Sequence, residues 1–121
     1  MDVVIKSEAE FKKQQIEKWL LLGIYDECFC IESEETEPGF PDVIARKDMK
    51  FDFIEFKVSD QKGMIKFQRT QPLFYKKHPR LNITITALNN FSGYVIEFPA
   101  YAIFDKDGMF ALSTKNEVKL Y

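Results

Sequence analysis

Residues 43–57 constrain this chain more than any other stretch. Val43 and Ile44 open one apolar segment, and Phe51, Phe53, Ile54 and Phe56 fill a second, with only a few residues around positions 47–50 between them. Short, aromatic-rich apolar segments joined so closely predict two core strands paired as a hairpin. Residues two apart on a strand share a face. Asp52, Ile54 and Phe56 therefore point one way, and Phe51, Phe53, Glu55 and Lys57 the other. A carboxylate and an ammonium thus emerge side by side from a face that otherwise carries phenylalanine. Burying both costs free energy unless each has a partner or a task.

Asp42 opens the first of these strands behind a turn that Pro41 fixes. From there its side chain can meet Glu55 across the strand pair. Two carboxylates converging on one point repel each other, and a divalent cation relieves the repulsion. Hard oxygen ligands supplemented by water suit Mg²⁺. A lysine beside such a site can hold an attacking water or neutralise a phosphate in transit. The plain alternative is a structural Glu55–Lys57 pair, with Asp42 as a turn residue.

Three segments in order, Pro41-Asp42-Val43-Ile44-Ala45, Ile54-Glu55-Phe56-Lys57 and Ile65-Lys66-Phe67-Gln68-Arg69-Thr70-Gln71, together resemble the PD-(D/E)XK nuclease superfamily. Within it, the stretch is most similar to the small archaeal-type Holliday-junction resolvases, including those of archaeal viruses. The virus-type replication-repair nucleases share the outline. The resemblance spans roughly residues 7–105. It implies a restriction-endonuclease-like α/β core, a mixed β-sheet flanked by helices in the order α-β-β-β-α-β. It also implies Mg²⁺ (Mn²⁺ substituting) held by Asp42 and Glu55, with the Phe56 backbone carbonyl as a further ligand. Lys57 and Gln71 would position the attacking water. Gln68 is the weaker candidate, because the pattern puts it on the preceding strand.

Enzymes of this kind usually carry a further acid on the first helix. Ser7 or an early neighbour caps that helix, which runs to about Leu22 and ends at Gly23. Phe11, Ile16, Trp19, Leu20 and Gly23 fall on one side at helical spacing. Extending that side one turn toward the N-terminus lands on Glu8, which is expected to complete the metal site. Glu10 lies in the Ser-x-x-Glu arrangement of the resolvases but points off the apolar side. Glu32, in the acidic loop after the first strand, could stand in for either.

The rest of the sequence bounds the expectation. A chain of 121 residues makes one domain, here residues 1–121. A content of 45% hydrophobic residues with 12 Phe is that of a globular protein, not a disordered one. No apolar run reaches membrane-spanning length and no leader pattern opens the chain, so a cytoplasmic setting is expected, the host's cytoplasm for a viral protein. Cys28-x-Cys30 with the distant His78 is a poor zinc site, and both thiols read as ordinary strand residues.

The net charge of −2 hides an asymmetry. Residues 57–80 hold seven Lys and Arg against one acid, while residues 1–56 hold seven against 14. Positive charge thus accumulates beside the strand that carries Glu55, where a phosphate backbone would run. Lys62, Lys66, Arg69, Lys76 and Lys77 are the candidate DNA contacts, a solvated loop and helix face being the ordinary alternative.

Downstream of the hairpin, a polar loop ends at Gly63, and positions 64–67 suit a short strand. Pro72 requires the second helix to begin close to Thr70, which puts Gln71 at its entrance, and Pro79 ends it. There the Gln71 amide can bond a water, Lys57 or a phosphate. Residues 81–88 alternate as a strand, 89–93 form a turn, and 94–98 are another strand. A hairpin turn is expected at 106–108. Phe91, Tyr94, Phe98, Tyr101, Phe104 and Phe110 are more aromatics than so small a chain need bury, and some could form a subunit interface.

The expectation is therefore a Mg²⁺-dependent endodeoxyribonuclease acting on branched DNA, foremost a four-way junction. Cutting a two-fold symmetric junction in paired strands calls for a homodimer. A nuclease of flaps or plain duplex, and a catalytically weak DNA-binding module, are the alternatives.

Overall fold

The computed structural model describes residues 6–31 and 37–103, together with the backbone of 110–113 and 119–120. The expected acidic loop acid Glu32, the turn at 106–108 and the side chains of Phe104 and Phe110 lie outside the described residues.

Helix α1 (Glu8–Leu21) starts where Ser7 caps it, the Ser7 hydroxyl accepting from the Glu10 N–H at 3.2 Å. It ends in a paired-bond stop. The Gly23 N–H reaches the Leu20 carbonyl and the Ile24 N–H the Trp19 carbonyl, with Gly23 at φ 70°. Only glycine enters that left-handed region without strain, which is why the helix stops there.

Strands β1 (Glu27–Cys30), β2 (Val43–Lys47), β3 (Lys50–Val58), β5 (Ile83–Leu88) and β6 (Val95–Pro99) form one sheet in the order β1-β2-β3-β5-β6. All neighbours are antiparallel except β3 and β5. That parallel pair needs a crossover. Strand β4 (Met64–Phe67) and helix α2 (Thr70–Lys77) supply it. Strand β4 pairs instead with β7 (Phe110–Ser113), which pairs with β8 (Lys119–Leu120), in a separate three-stranded sheet. The architecture is a mixed sheet between helices, as the sequence predicts.

The two faces carry two cores. Phe11 and Trp19 of α1 close on Val43, Ala45, Ile54 and Phe56. The Phe56 ring meets Phe11 edge-on at 5.6 Å and Trp19 at 5.5 Å. On the other face, Phe74 and Tyr75 of α2 pack with Ile83, Ile85, Ala87 and Phe98, and with Ile65 and Phe67 of β4. The strand alternation thus distributes Ile54 and Phe56 to one core and Phe53 to the other, as expected.

One apolar expectation changes. Leu20, expected on the buried side of α1, is 42% exposed. The helix packs on the sheet through Phe11 and Trp19, and Leu20, the next residue after Trp19, lies about 100° further round the helix, off that contact. Phe29 is largely exposed, because β1 is an edge strand and the core beneath α2 contains none of its residues. Of the described late aromatics, Phe98 is buried, whereas Phe91, Tyr94 and Tyr101 are exposed.

Candidate active site

The site forms where β2, β3 and the N-terminus of α1 meet. Val43 pairs with Ile54, so the residues preceding and following them, Asp42 and Glu55, face each other across the hairpin. Pro41 is buried and delivers Asp42 into this position. The Asp42 carbonyl accepts from the Ile31 N–H at 2.7 Å, and its carboxylate Oδ2 accepts from the Phe56 N–H at 3.0 Å. The Phe56 backbone is therefore part of the site, while its ring is anchored in the α1 core.

Glu55 is only 3% exposed. Burial pushes its carboxyl well above the usual range, and the Asp42 charge and a hydrogen bond with Asp42 push it the same way, against the opposing pull of Lys57. Glu8 reaches the same point from the first turn of α1. Its carboxyl is also raised, first by burial and secondarily by Asp42, with Lys57 and Lys12 opposing. Oxygens of Glu8, Asp42 and Glu55 all lie within 4.8 Å of one another. Three carboxylates so placed form a donor set that fits a hard divalent cation. Glu10 is exposed and its N–H serves the helix cap, so it is not part of this cluster.

Lys57 follows one alternation later on β3. Its Nζ donates to the Gln71 Oε1 at 2.8 Å and lies 5.2 Å over the centre of the Phe67 ring. The same Gln71 oxygen accepts from the Gln68 N–H at 2.9 Å. Gln71 is thereby locked at the entrance of α2, 8% exposed, with its NH₂ group unbonded among the described residues. Gln68 contributes its backbone to the site through this bond.

One turn further along α2, Tyr75 is fully buried and its hydroxyl has no partner among the described residues. Burial, followed by the charges of Glu55 and Asp42, raises it far above the ordinary phenol range. Sequence pattern alone assigns Tyr75 to packing. Its i+4 spacing from Gln71 is the one signal that could have drawn it toward the site.

The candidate DNA contacts separate. Lys66 lines a cleft of about 300 Å³ with Glu8, Lys57, Val58, Ser59, Asp60 and Met64. Lys62, Arg69 and Lys76 are exposed. Lys77 is held by Glu37 at 2.7 Å, and the other Glu37 oxygen lies 2.9 Å from the His78 Nε2. Those two partners, Lys77 foremost, lower the Glu37 carboxyl.

Fold and site together define a restriction-endonuclease-like α/β domain with an acidic triad at one end of its central hairpin. No family model and no curated protein matches the chain. Among solved structures it is similar to Hjc, a Holliday junction resolvase of Archaeoglobus fulgidus. The two share 13% identity at a TM-score of 0.54, over 83% of this chain and 87% of that one. It is also similar to D212, a nuclease from a fusellovirus, at 14% identity and a TM-score of 0.45, over 83% and 72% of the two chains. The fold is that of the archaeal resolvase. Among the described residues, no helix is long and apolar enough to cross a membrane.

Proposed function

We propose that this chain is a metal-dependent DNA endonuclease that resolves four-way junctions by paired, symmetric nicks. The convergence of Glu8, Asp42 and Glu55 within 4.8 Å, with Lys57 and Gln71 joined beside them, carries this reading. The fold shared with a Holliday junction resolvase favours branched DNA as the substrate.

Glu8, Asp42 and Glu55, with the Phe56 carbonyl, would hold Mg²⁺, and Mn²⁺ would substitute. When bound, the ion would supply the charge that makes water nucleophilic at neutral pH and offsets the charge developing on the phosphate. The chain's own groups do the rest. Lys57, fixed by Gln71 and the Phe67 ring, holds the attacking water in line with the scissile bond. The free Gln71 NH₂ donates to that water or to a phosphate oxygen.

Lys66, at the mouth of the site, with Lys62, Arg69 and Lys76, would track the phosphate backbone. Lys77 contributes less, because Glu37 already engages it. Two sites related by a two-fold axis are needed for paired nicks, so the working form is a homodimer.

The test compares a synthetic four-way junction with a linear duplex of the same arms, with Mg²⁺ and with chelator. Symmetric, Mg²⁺-dependent nicks on the junction alone are expected. Equal cutting of both would make the protein a general nuclease. A folded protein that binds the junction without cutting it would make it a DNA-binding module.

A further inference from the structure

We infer that Asn90, braced by Ser59, is a positioning residue that holds Glu8 in the acidic triad. The inference rests on the nuclease reading of that triad. Asp42 and Glu55 are placed by strands, but Glu8 stands on the first turn of a helix. The first residue of α1 in the core is Phe11, one turn later. Something must fix the chain ahead of it.

Asn90 does so with one side chain. Its Oδ1 accepts from the Lys6 N–H at 3.2 Å, and its Nδ2 donates to the Lys6 carbonyl at 3.3 Å. The amide thus grips both polar groups of one residue, as a neighbouring strand would. The same Nδ2 donates to the Ser59 carbonyl at 2.9 Å, and the Asn90 N–H donates to the Ser59 Oγ at 2.7 Å. Ser59 is buried at the end of β3, where its own N–H reaches the Leu88 carbonyl at 2.8 Å. Asn90 therefore ties the residue two before Glu8 to the residue two after Lys57.

The side-chain bond from Lys6 Nζ to Gln14 Oε1 is solvent-exposed and runs along α1 itself, so it does not orient the helix on the sheet. Without Asn90, the Lys6 N–H and carbonyl lose these partners, and among the described residues the first turn keeps only its Ser7 cap and the packing of Phe11 behind it. Glu8 then leaves the triad, while Asp42 and Glu55 stay. The loss falls on metal affinity and on the acid that α1 supplies.

The experiment is a double-mutant cycle read by Mn²⁺ binding in a calorimeter, using the full chain as wild type, Asn90→Ala, Glu8→Gln and the double variant. Outer-sphere partners of metal ligands typically contribute about 10- to 100-fold in affinity. Asn90→Ala is expected to weaken Mn²⁺ binding by about 10-fold, within that range. The double variant is expected to bind no more weakly than Glu8→Gln alone. Amide exchange at Glu10 and Phe11 should speed up in Asn90→Ala. If Asn90→Ala does not fold, Asn90→Asp enters the same cycle, since it keeps the acceptor for Lys6 and loses the donor for both carbonyls. Unchanged Mn²⁺ affinity in the folded variant, or losses that add fully with Glu8→Gln, overturns the inference alone. A wild type that takes up no Mn²⁺ overturns the nuclease reading, and the inference with it.

Discussion

The Lys57 ammonium stands 2.8 Å from the Gln71 Oε1, which joins the strand carrying Glu55 to the helix that crosses over it. A second bond from the Gln68 N–H fixes that oxygen, so the lysine is held from the helix side as well as by its own strand. Gln71→Ala removes the acceptor and leaves Lys57 to the face of the Phe67 ring. Misplacing a positioning group by about 1 Å can cost about 10²-fold. Gln71→Ala is expected to lower the single-turnover cleavage rate by that order while junction affinity, measured with Ca²⁺, stays within about twofold. A loss confined to affinity would remove Gln71 from the chemistry.

Gly39 is expected to be intolerant of any side chain. Its φ is 92°, and a β-carbon there would fall 2.2 Å from the Thr70 carbonyl oxygen and 2.8 Å from the Phe74 Cβ. Both neighbours belong to α2, so the approach locks the loop before Pro41 and Asp42 onto the helix that carries Gln71. Gly39→Ala should destabilise the fold by at least about 2 kcal/mol, from strain and overpacking together. Urea denaturation checks this, and a midpoint equal to wild type would contradict it.

Glu55 should make the metal-free protein less stable as pH rises. Its folded carboxyl is raised above the ordinary value of 4.5, so it stays protonated where the unfolded chain ionises. Its favourable contribution is complete below the unfolded value and is lost as pH climbs toward the folded one, by up to about 1.4 kcal/mol per pH unit. Glu55→Gln mimics the protonated form. In chelator, wild type and Glu55→Gln should unfold at similar temperatures in acid, with the variant increasingly the more stable above that range. Mg²⁺ should reverse the order near neutrality, because only wild type gains a ligand. A constant gap across pH in chelator would contradict the burial of this carboxyl.

Charge reversal of Lys66, Arg69 and Lys76 to Glu should weaken junction binding and flatten its salt dependence, by about one unit of log–log slope for each phosphate no longer neutralised. Lys77→Glu should do less, because Glu37 already occupies that ammonium at 2.7 Å. Filter binding across a salt series separates the two, and an unchanged slope for the first set would place the DNA elsewhere.

The hairpin was legible because alternation at residues 51–57 assigns each side chain to a face, and the β2–β3 register follows from it. The stop at Gly23 and the start of α2 near Thr70 were legible because glycine and proline act through the local backbone. Helical phase pointed to Glu8 but could not supply its anchor, since Asn90 lies 84 residues from Lys6. Distance along the chain also hid the pairing of β4 with β7, which draws β4 out of the main sheet. Leu20 misled because helical spacing put it on the side of Trp19, whereas the actual contact with the sheet is narrower than that side. Tyr75 looked like packing because nothing local marks a hydroxyl as lacking a partner.

The most direct measurement is Mg²⁺-dependent cleavage of a four-way junction by wild type, Asp42→Asn and Glu55→Gln, with junction binding measured in parallel. Wild type should cut, and both variants should bind the junction normally yet cut at least about 10³-fold more slowly, since each removes a charge that holds the ion. Cleavage by either variant at the wild-type rate would contradict the assignment of Asp42 and Glu55 as the centre of the site.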